Sequence, residues 1–408
     1  MKKYIALILF LIAATVYFVF YHQDKALRFV PENTDILILV DMKKGTRQYI
    51  SEILGHPSLI MEKNKAGGAP ASLKDTGLKI PDFLQIFHLQ GSPFSHWYSV
   101  FEIKDEQKLL NYVKRQEFIS TENNTFKKDF IFLKISDGNC LIGTSGSAFE
   151  SVAISIRSGE TDYQASSFID RSIGSISFIS GPRTRNFSVD LHEHDIEIKN
   201  SFHPENFSQI LSGIENRTSF FSAETDARNI RDIARLFNID FTETAGVEYV
   251  QATAQLKQVN DTIITYGYDD HFNEIEKKSV QKILQPDYAF ALHSADPEKA
   301  IRYFQEKKWI NDRNQFTAIP FQPNTVVKNK KSVEIMSVRN PVKLPSKVGT
   351  NYIIIKNNPL LLSEWKTGSP VEKKIISQLE CFFYANRNHE YYVKLQFKKE
   401  KRPLILGP

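Results

Sequence analysis

The chain has 408 residues, 41% hydrophobic and 24% charged, a composition that suits folded globular material and excludes a disordered or collagen-like polymer. Removing Lys2 and Lys3 from the 52 basic residues leaves 50 against 47 acidic, a near-balance that gives no electrostatic footing for nucleic acid. Two cysteines, Cys140 and Cys381, both in apolar runs, exclude a disulfide scaffold and read as small buried hydrophobes.

Met1-Lys2-Lys3 is followed by 18 residues, Tyr4 to Tyr21, without a charge. At helical rise they span about 27 Å, close to the hydrocarbon thickness of a bilayer. The two lysines favour a cytoplasmic N-terminus and an exported remainder. A cleaved signal peptide is the rival reading. Against it, Ala13 and Ala14 lie inside the run, Val16 to Tyr21 continues it with bulky residues, and no cysteine stands near its end. The expectation is an uncleaved transmembrane signal-anchor over 1–21 and a juxtamembrane link over 22–34, in a single-pass protein.

Pro31-Glu32-Asn33-Thr34 precedes a strand over Asp35–Asp41 whose apolar core suits a central position. A helix follows over Lys43–Leu54, stopped by Gly55 and Pro57. Residues 63–75 read as a loop. Trp97–Ile103 is a strand, Asp105 a helix cap, and the helix ends near Phe118-Ile119. Phe130–Ser136 and Asn139–Gly143 form a hairpin turned at Asp137-Gly138. Ser147 with Glu150 has capping-box spacing for a helix to Ser158. Arg185–Leu191 with Ile196–Phe202 is a strand pair. A second pair is Glu248–Lys257 with Thr262–Tyr268, turned at Val259-Asn260-Asp261. Helices are expected over Asp226–Phe237, Asn273–Leu284 and Pro370–Leu379, before a last hairpin of Glu380–Ala385 and Tyr391–Phe397.

The chain contains an echo of itself. Tyr288–Ile310 repeats Trp97–Ile119 at an offset of 191, aligning Asp105 with Asp296, Tyr112 with Tyr303 and Phe118-Ile119 with Trp309-Ile310. A second anchor at offset 212 aligns Asn139–Gly143 with Asn351–Ile355 and Ser147 with Pro359, which requires a longer loop around Ile319–Ser346 in the second copy. The expected fold is therefore α+β: an N-terminal transmembrane helix, then two related α+β halves with mainly antiparallel sheets, over 35–215 and 216–408.

Three phrases resemble a broad family of bacterial membrane-anchored extracytoplasmic proteins catalogued as a domain of unknown function. They are Val30-Pro31-Glu32-Asn33-Thr34-Asp35-Ile36, Val100-Phe101-Glu102-Ile103-Lys104-Asp105, and Asn139-Cys140-Leu141-Ile142-Gly143-Thr144-Ser145. The resemblance implies topology and the duplicated layout, with the chain in the inner (cytoplasmic) membrane and its bulk on the periplasmic side. It carries over no catalytic residue.

Gly143-Thr144-Ser145-Gly146-Ser147 lacks the Lys-Ser/Thr of a phosphate loop, and Ser147 stands where a nucleophile elbow needs glycine, so a turn plus helix start is the simpler reading. In His192-Glu193-His194-Asp195, a strand would place His192 and His194 on one face, with His203 as a hypothetical third metal ligand. The apolar parity changes there, from Phe187, Val189 and Leu191 to Ile196 and Ile198, which marks a solvated hairpin instead. Asp269-Asp270-His271 reads as a cap for the helix expected at Asn273. The run Lys398-Lys399-Glu400-Lys401-Arg402 reads as a charge-protected edge or tail. Aromatic residues, 30 Phe and 16 Tyr among them, suit half-buried sheets.

No catalytic, cofactor-binding or metal-binding residue is assigned, and no cofactor is expected. The functional expectation is a non-enzymatic membrane-anchored cell-envelope protein, held through residues 4–21 and acting through protein or envelope-component contacts. Two alternatives stand beside it. One is an extracytoplasmic metal-dependent hydrolase using His192, His194 and Asp195; the other is a lipid- or peptide-binding carrier with an aromatic groove.

Overall fold

The computed structural model describes residues 17, 20–55, 76–158, 163–200, 203–236, 246–319, 324–364, 370–399 and 404–406. Most of the charge-free run 4–21, the loop expected over 63–75 and the tail residues 400–402 lie outside them. No helix among the described residues is long and apolar enough to cross a membrane. The fold is mixed α+β, dominated by antiparallel sheet, and it divides into two compact units: 1–200 with 400–408, and 201–399.

The first unit runs β1 (Thr34–Asp41), α1 (Met42–Gly55), β2 (Phe83–Leu89), β3 (Tyr98–Glu102), α2 (Glu106–Arg115), β4 (Ile119–Ser120), β5 (Thr125–Lys128), β6 (Ile131–Ser136), β7 (Asn139–Gly143), α3 (Phe149–Ser158), β8 (Gly174–Ser180), β9 (Arg183–Leu191) and β10 (Asp195–Lys199). The strands lie in the order β4-β5-β6-β7-β3-β2-β1-β8-β9-β10, every neighbour antiparallel. β1 is central, as its continuous apolar run predicts, and buries Leu37 and Leu39 against Phe87, Tyr98 and Leu141. Its last residue, Asp41, accepts from the Lys44 backbone N–H at 2.7 Å and so starts α1. α2 is capped by Asp105 on the Lys108 N–H and buries Leu109 and Val113 against Leu133, Ile135 and Cys140. Asp137 and Gly138 take the positive φ values that turn the β6–β7 hairpin. The capping-box spacing at Ser147 is not used: α3 begins at Phe149, and the Ser147 N–H donates to the Ser145 Oγ.

The second unit runs α4 (Pro204–Ile214), β11 (Phe221–Asp226), α5 (Ala227–Leu236), β12 (Tyr249–Tyr268), β13 (Glu274–His293), α6 (Pro297–Glu306), β14 (Asn324–Lys328), β15 (Ser332–Ser337), β16 (Asn351–Lys356), α7 (Pro359–Glu364), α8 (Pro370–Gln378), β17 (Leu379–Arg387) and β18 (Glu390–Phe397). Its order is β14-β15-β13-β12-β11-β16-β17-β18, again antiparallel throughout. This matches β6-β7-β3-β2-β1-β8-β9-β10 strand for strand, and the register matches as well. Tyr98 pairs with Phe87 and Gly143; Ala289, at offset 191, pairs with Thr253 and Met336. Leu37 pairs with Phe87 and Ser177, and Ser222 with Thr253 and Ile354. Asp296 caps α6 on Lys299 as Asp105 caps α2 on Lys108, and Asp226 caps α5 on Asn229 as Asp41 caps α1 on Lys44.

Four expectations are corrected. The anchor at offset 212 paired β7 with β16, whereas by sheet position β7 corresponds to β15 and β16 to β8. Short apolar strands resemble one another locally, and only long-range pairing tells them apart. The span Ile319–Ser346 is accordingly no plain loop, since it holds β14 and β15. The turn at Val259-Asn260-Asp261 and the helix over Asn273–Leu284 are both absent: β12 and β13 form one continuous hairpin from Tyr249↔His293 to Tyr268↔Glu274. Residues 259–261 hold no glycine or proline, and β-branched Thr262, Ile264 and Thr265 carry the strand on. Ile275 and Ile283 fit helical and alternating periods alike, and cross-strand pairing selects the second.

Candidate functional site

β9 and β10 bring His192, Asp195 and Glu197 together, with one ligand atom from each lying within 4.8 Å of the others. His194 is elsewhere engaged, 3.4 Å from Glu193, and His203 lies 3.3 Å from Glu205. The cluster already contains a cation. Lys199 Nζ stands 3.0 Å from Glu197 and 3.3 Å from Asp190. Burial acts to lower the Lys199 pKa, but the hydrogen bond and charge of Glu197, with those of Asp190, outweigh it and raise it. The lysine is therefore held as a cation among the carboxylates. Glu197 and Lys199 were not singled out from sequence; their alternation with Asp195 on one strand was the available signal.

Gly143–Ser147 is a structural turn: Thr144 Oγ1 accepts from the Trp97 N–H and the Ser145 hydroxyl meets that of Ser147 at 3.0 Å. Asp269 caps a hairpin turn rather than a helix, accepting from the His271 and Asn273 N–H groups at 2.8 Å each. Those bonds and the Asn273 side chain hold its carboxyl below the usual range. Cys140 and Cys381 are both free and buried, with burial pushing their thiols up to about 12 and about 11. A cavity of about 230 Å³ in the first unit is lined by Asp24, Arg28, Lys79, Asp82 and Glu102. Its charges are all paired, Arg28 with Asp24 at 2.9 Å, Lys79 with Glu102 at 2.5 Å and Asp82 with Lys43 at 3.1 Å. Ligand pockets run to about 300–1,000 Å³, and this one is smaller, with Phe29, Ile80 and Phe83 set among the paired charges.

In the second unit a buried carboxylate organises the approach to β16. Glu224, 1% exposed, accepts from the Val348 and Gly349 N–H groups at 2.7 and 2.6 Å. Asn351 holds Asp226 at 2.9 Å and Asn386 at 2.9 Å. Burial and the neighbouring Glu224 push the Tyr249 phenol well up, and Lys347 sits 4.1 Å over its ring. The two bonds from Glu224 fix the segment before β16, which makes this a clamp.

The surface with unmet chemistry is the distal part of the β12–β13 hairpin. β12 pairs with β11 only through Ala254, and β13 with β15 only from Ala289. Beyond those points, among the described residues, the two strands pair with each other alone. From Lys257 to the turn the ribbon reaches about 40 Å at the rise of an antiparallel strand. Directly opposed residues share a face. One face carries the rows Thr262/Val280, Ile264/Lys278, Tyr266/Glu276 and Tyr268/Glu274, and the turn beyond them holds Phe272. Tyr266 and Tyr268 are 69% and 70% exposed, and Phe272 84%. The sequence reading missed this stripe because it broke β12 at a turn and folded β13 into a helix.

No family model matches the chain, and neither a curated protein nor a solved structure matches it.

Proposed function

We propose that the chain is a non-enzymatic cell-envelope protein, held in a bacterial inner membrane through residues 4–21, whose periplasmic bulk acts through protein contacts. On this reading its two units descend from one by duplication, which accounts for the shared strand order and register. The observation that carries the contact reading is the exposed apolar face of the β12–β13 arm. A two-stranded ribbon is marginal in water without a third partner, and singly scattered apolar residues need no explanation whereas a contiguous stripe does. The charge-free run with Lys2 and Lys3 before it supports the anchor.

The test places a photo-crosslinking amino acid at Tyr266 in the full-length chain expressed in a Gram-negative bacterium. The expected result is a membrane-fraction protein, protected from protease until the outer membrane is opened, with a discrete polypeptide crosslink. Recovery in the soluble fraction would overturn the anchor, and a Tyr266 position that crosslinks no polypeptide would overturn the contact reading.

A further inference from the structure

We infer that the occupant of the arm face is a second copy of the same chain, packed across a two-fold axis with the arms antiparallel. This rests on the contact reading above and names its partner. The charges along the stripe are ordered. Acids lie toward the tip, at Asp270, Glu274 and Glu276; lysines lie toward the sheet, at Lys278 and Lys282. Between and beside them run Val280, Ile264, Tyr266 and Tyr268, all exposed. A surface polarised end to end is complementary to itself when reversed, and reversal is what an isologous contact does.

The register follows from the rows. With the axis between the Ile264/Lys278 and Tyr266/Glu276 rows, Glu276 of each copy faces Lys278 of the other. Tyr266 then packs on the partner's Ile264, and Tyr268 lies over the partner's Thr262, with Val280 beside it in the same row. The tip acid Asp270 comes to the row of the partner's Lys282. Within one chain Lys278 already touches Glu276, at 3.4 Å, with both side chains exposed. An exposed pair of that kind is weak, so exchanging the one in each copy for two across the axis costs little. Tyr266 and Tyr268 at about 150–250 Å² each, with Ile264, Val280 and the lysine stems, supply the larger part of the ~800 Å² per partner of a standard interface. An anionic membrane is the poorer occupant, because the part of the arm that would arrive first is its acidic tip.

The test uses the full chain in a mild detergent, with mass measured by light scattering across a concentration series. The wild type is expected to dimerise. Glu276→Lys and Lys278→Glu should each weaken the dimer about tenfold, by replacing two attractive contacts with two repulsive ones. The double variant carrying both changes should recover wild-type affinity, since each copy again presents opposite charges across the axis. Tyr266→Ser with Tyr268→Ser should abolish the dimer. All these side chains are exposed, and an unchanged circular dichroism melt confirms that each variant folds. A wild type that stays monomeric throughout overturns the inference, and so does a double variant as weak as the singles. If Tyr266 crosslinks only a different polypeptide in cells, the second-copy assignment falls while the contact reading stands; no polypeptide crosslink at all removes both.

Discussion

Replacing Glu224 with alanine tests whether the buried carboxylate is the clamp that sets the segment before β16. Each of its two bonds, to the N–H groups of Val348 and Gly349, is charge-assisted and worth about 1.5–3 kcal/mol in a buried setting. Gly349 is exposed, so water replaces part of what its N–H loses, whereas Val348 is half-buried and recovers less. The net loss expected for the second unit is therefore about 2–4 kcal/mol. Glu224→Gln keeps one acceptor oxygen but turns an amide donor toward the other N–H, and should cost about half as much. A chain of two units does not unfold as one two-state system. The appropriate assay is hydrogen exchange with peptide resolution on the full chain in increasing urea. Peptides of 346–356 and 221–226 should lose protection in Glu224→Ala while those of the first unit keep it. A loss below about 1 kcal/mol, or unchanged exchange at Val348 and Gly349, would refute the clamp.

Gly77→Ala should destabilise the first unit by about 2–5 kcal/mol in the same assay, because φ is +77° there and a Cβ would stand 2.2 Å from the Asp105 carbonyl oxygen and 2.8 Å from the Leu109 nitrogen. Burial acts to raise the Asp226 pKa, but hydrogen bonds from Asn229 and Asn351 outweigh it and hold it below the ordinary 3.8. Its contribution is thus present above that value and lost as pH falls through the folded pKa. The gap in urea-dependent exchange protection of second-unit peptides between wild type and Asp226→Asn should accordingly close below about pH 3.8, and a gap that stays constant would contradict the assignment. With both thiols pushed up by burial, Cys140 and Cys381 should resist a thiol reagent at pH 8 and react only on unfolding, as counted by absorbance of the released chromophore.

How much was legible from sequence depended on whether the determining interaction is local. Asp105 and Asp296 each set a helix start through a bond three residues away, so the repeat at offset 191 was readable from the caps and the residues after them. Asp137-Gly138 was readable because its positive φ values favour those residue types. β16 was matched to the wrong strand because Asn351–Ile355 looks locally like Asn139–Gly143, and its place beside β11 is fixed by partners more than a hundred residues away. The arm was lost for a related reason. Its strands draw their identity from each other, through pairs such as Tyr266↔Glu276, and Asn273–Leu284 alone satisfies a helical period nearly as well. The metal reading of His192 and His194 assumed an extended backbone through a segment that turns, which sent the second imidazole to Glu193.

The shared register has a consequence for folding fidelity. In shape, β11 is a ready substitute for β1, because each lies between the equivalents of the same two neighbours. Position for position, though, Glu224 corresponds to Leu39: the first pairs with Gln251 and Tyr352, the second with Gln85 and Ser175. A chain that threaded β11 into the first unit during synthesis would drive a carboxylate into the fully buried site of Leu39, away from the two N–H groups that satisfy it in its own unit. An uncompensated buried charge costs several kcal/mol, more than a half-formed sheet can supply. Tandem copies of one topology are prone to mispairing as they emerge; here a single acidic side chain acts as an address label that sends each strand home.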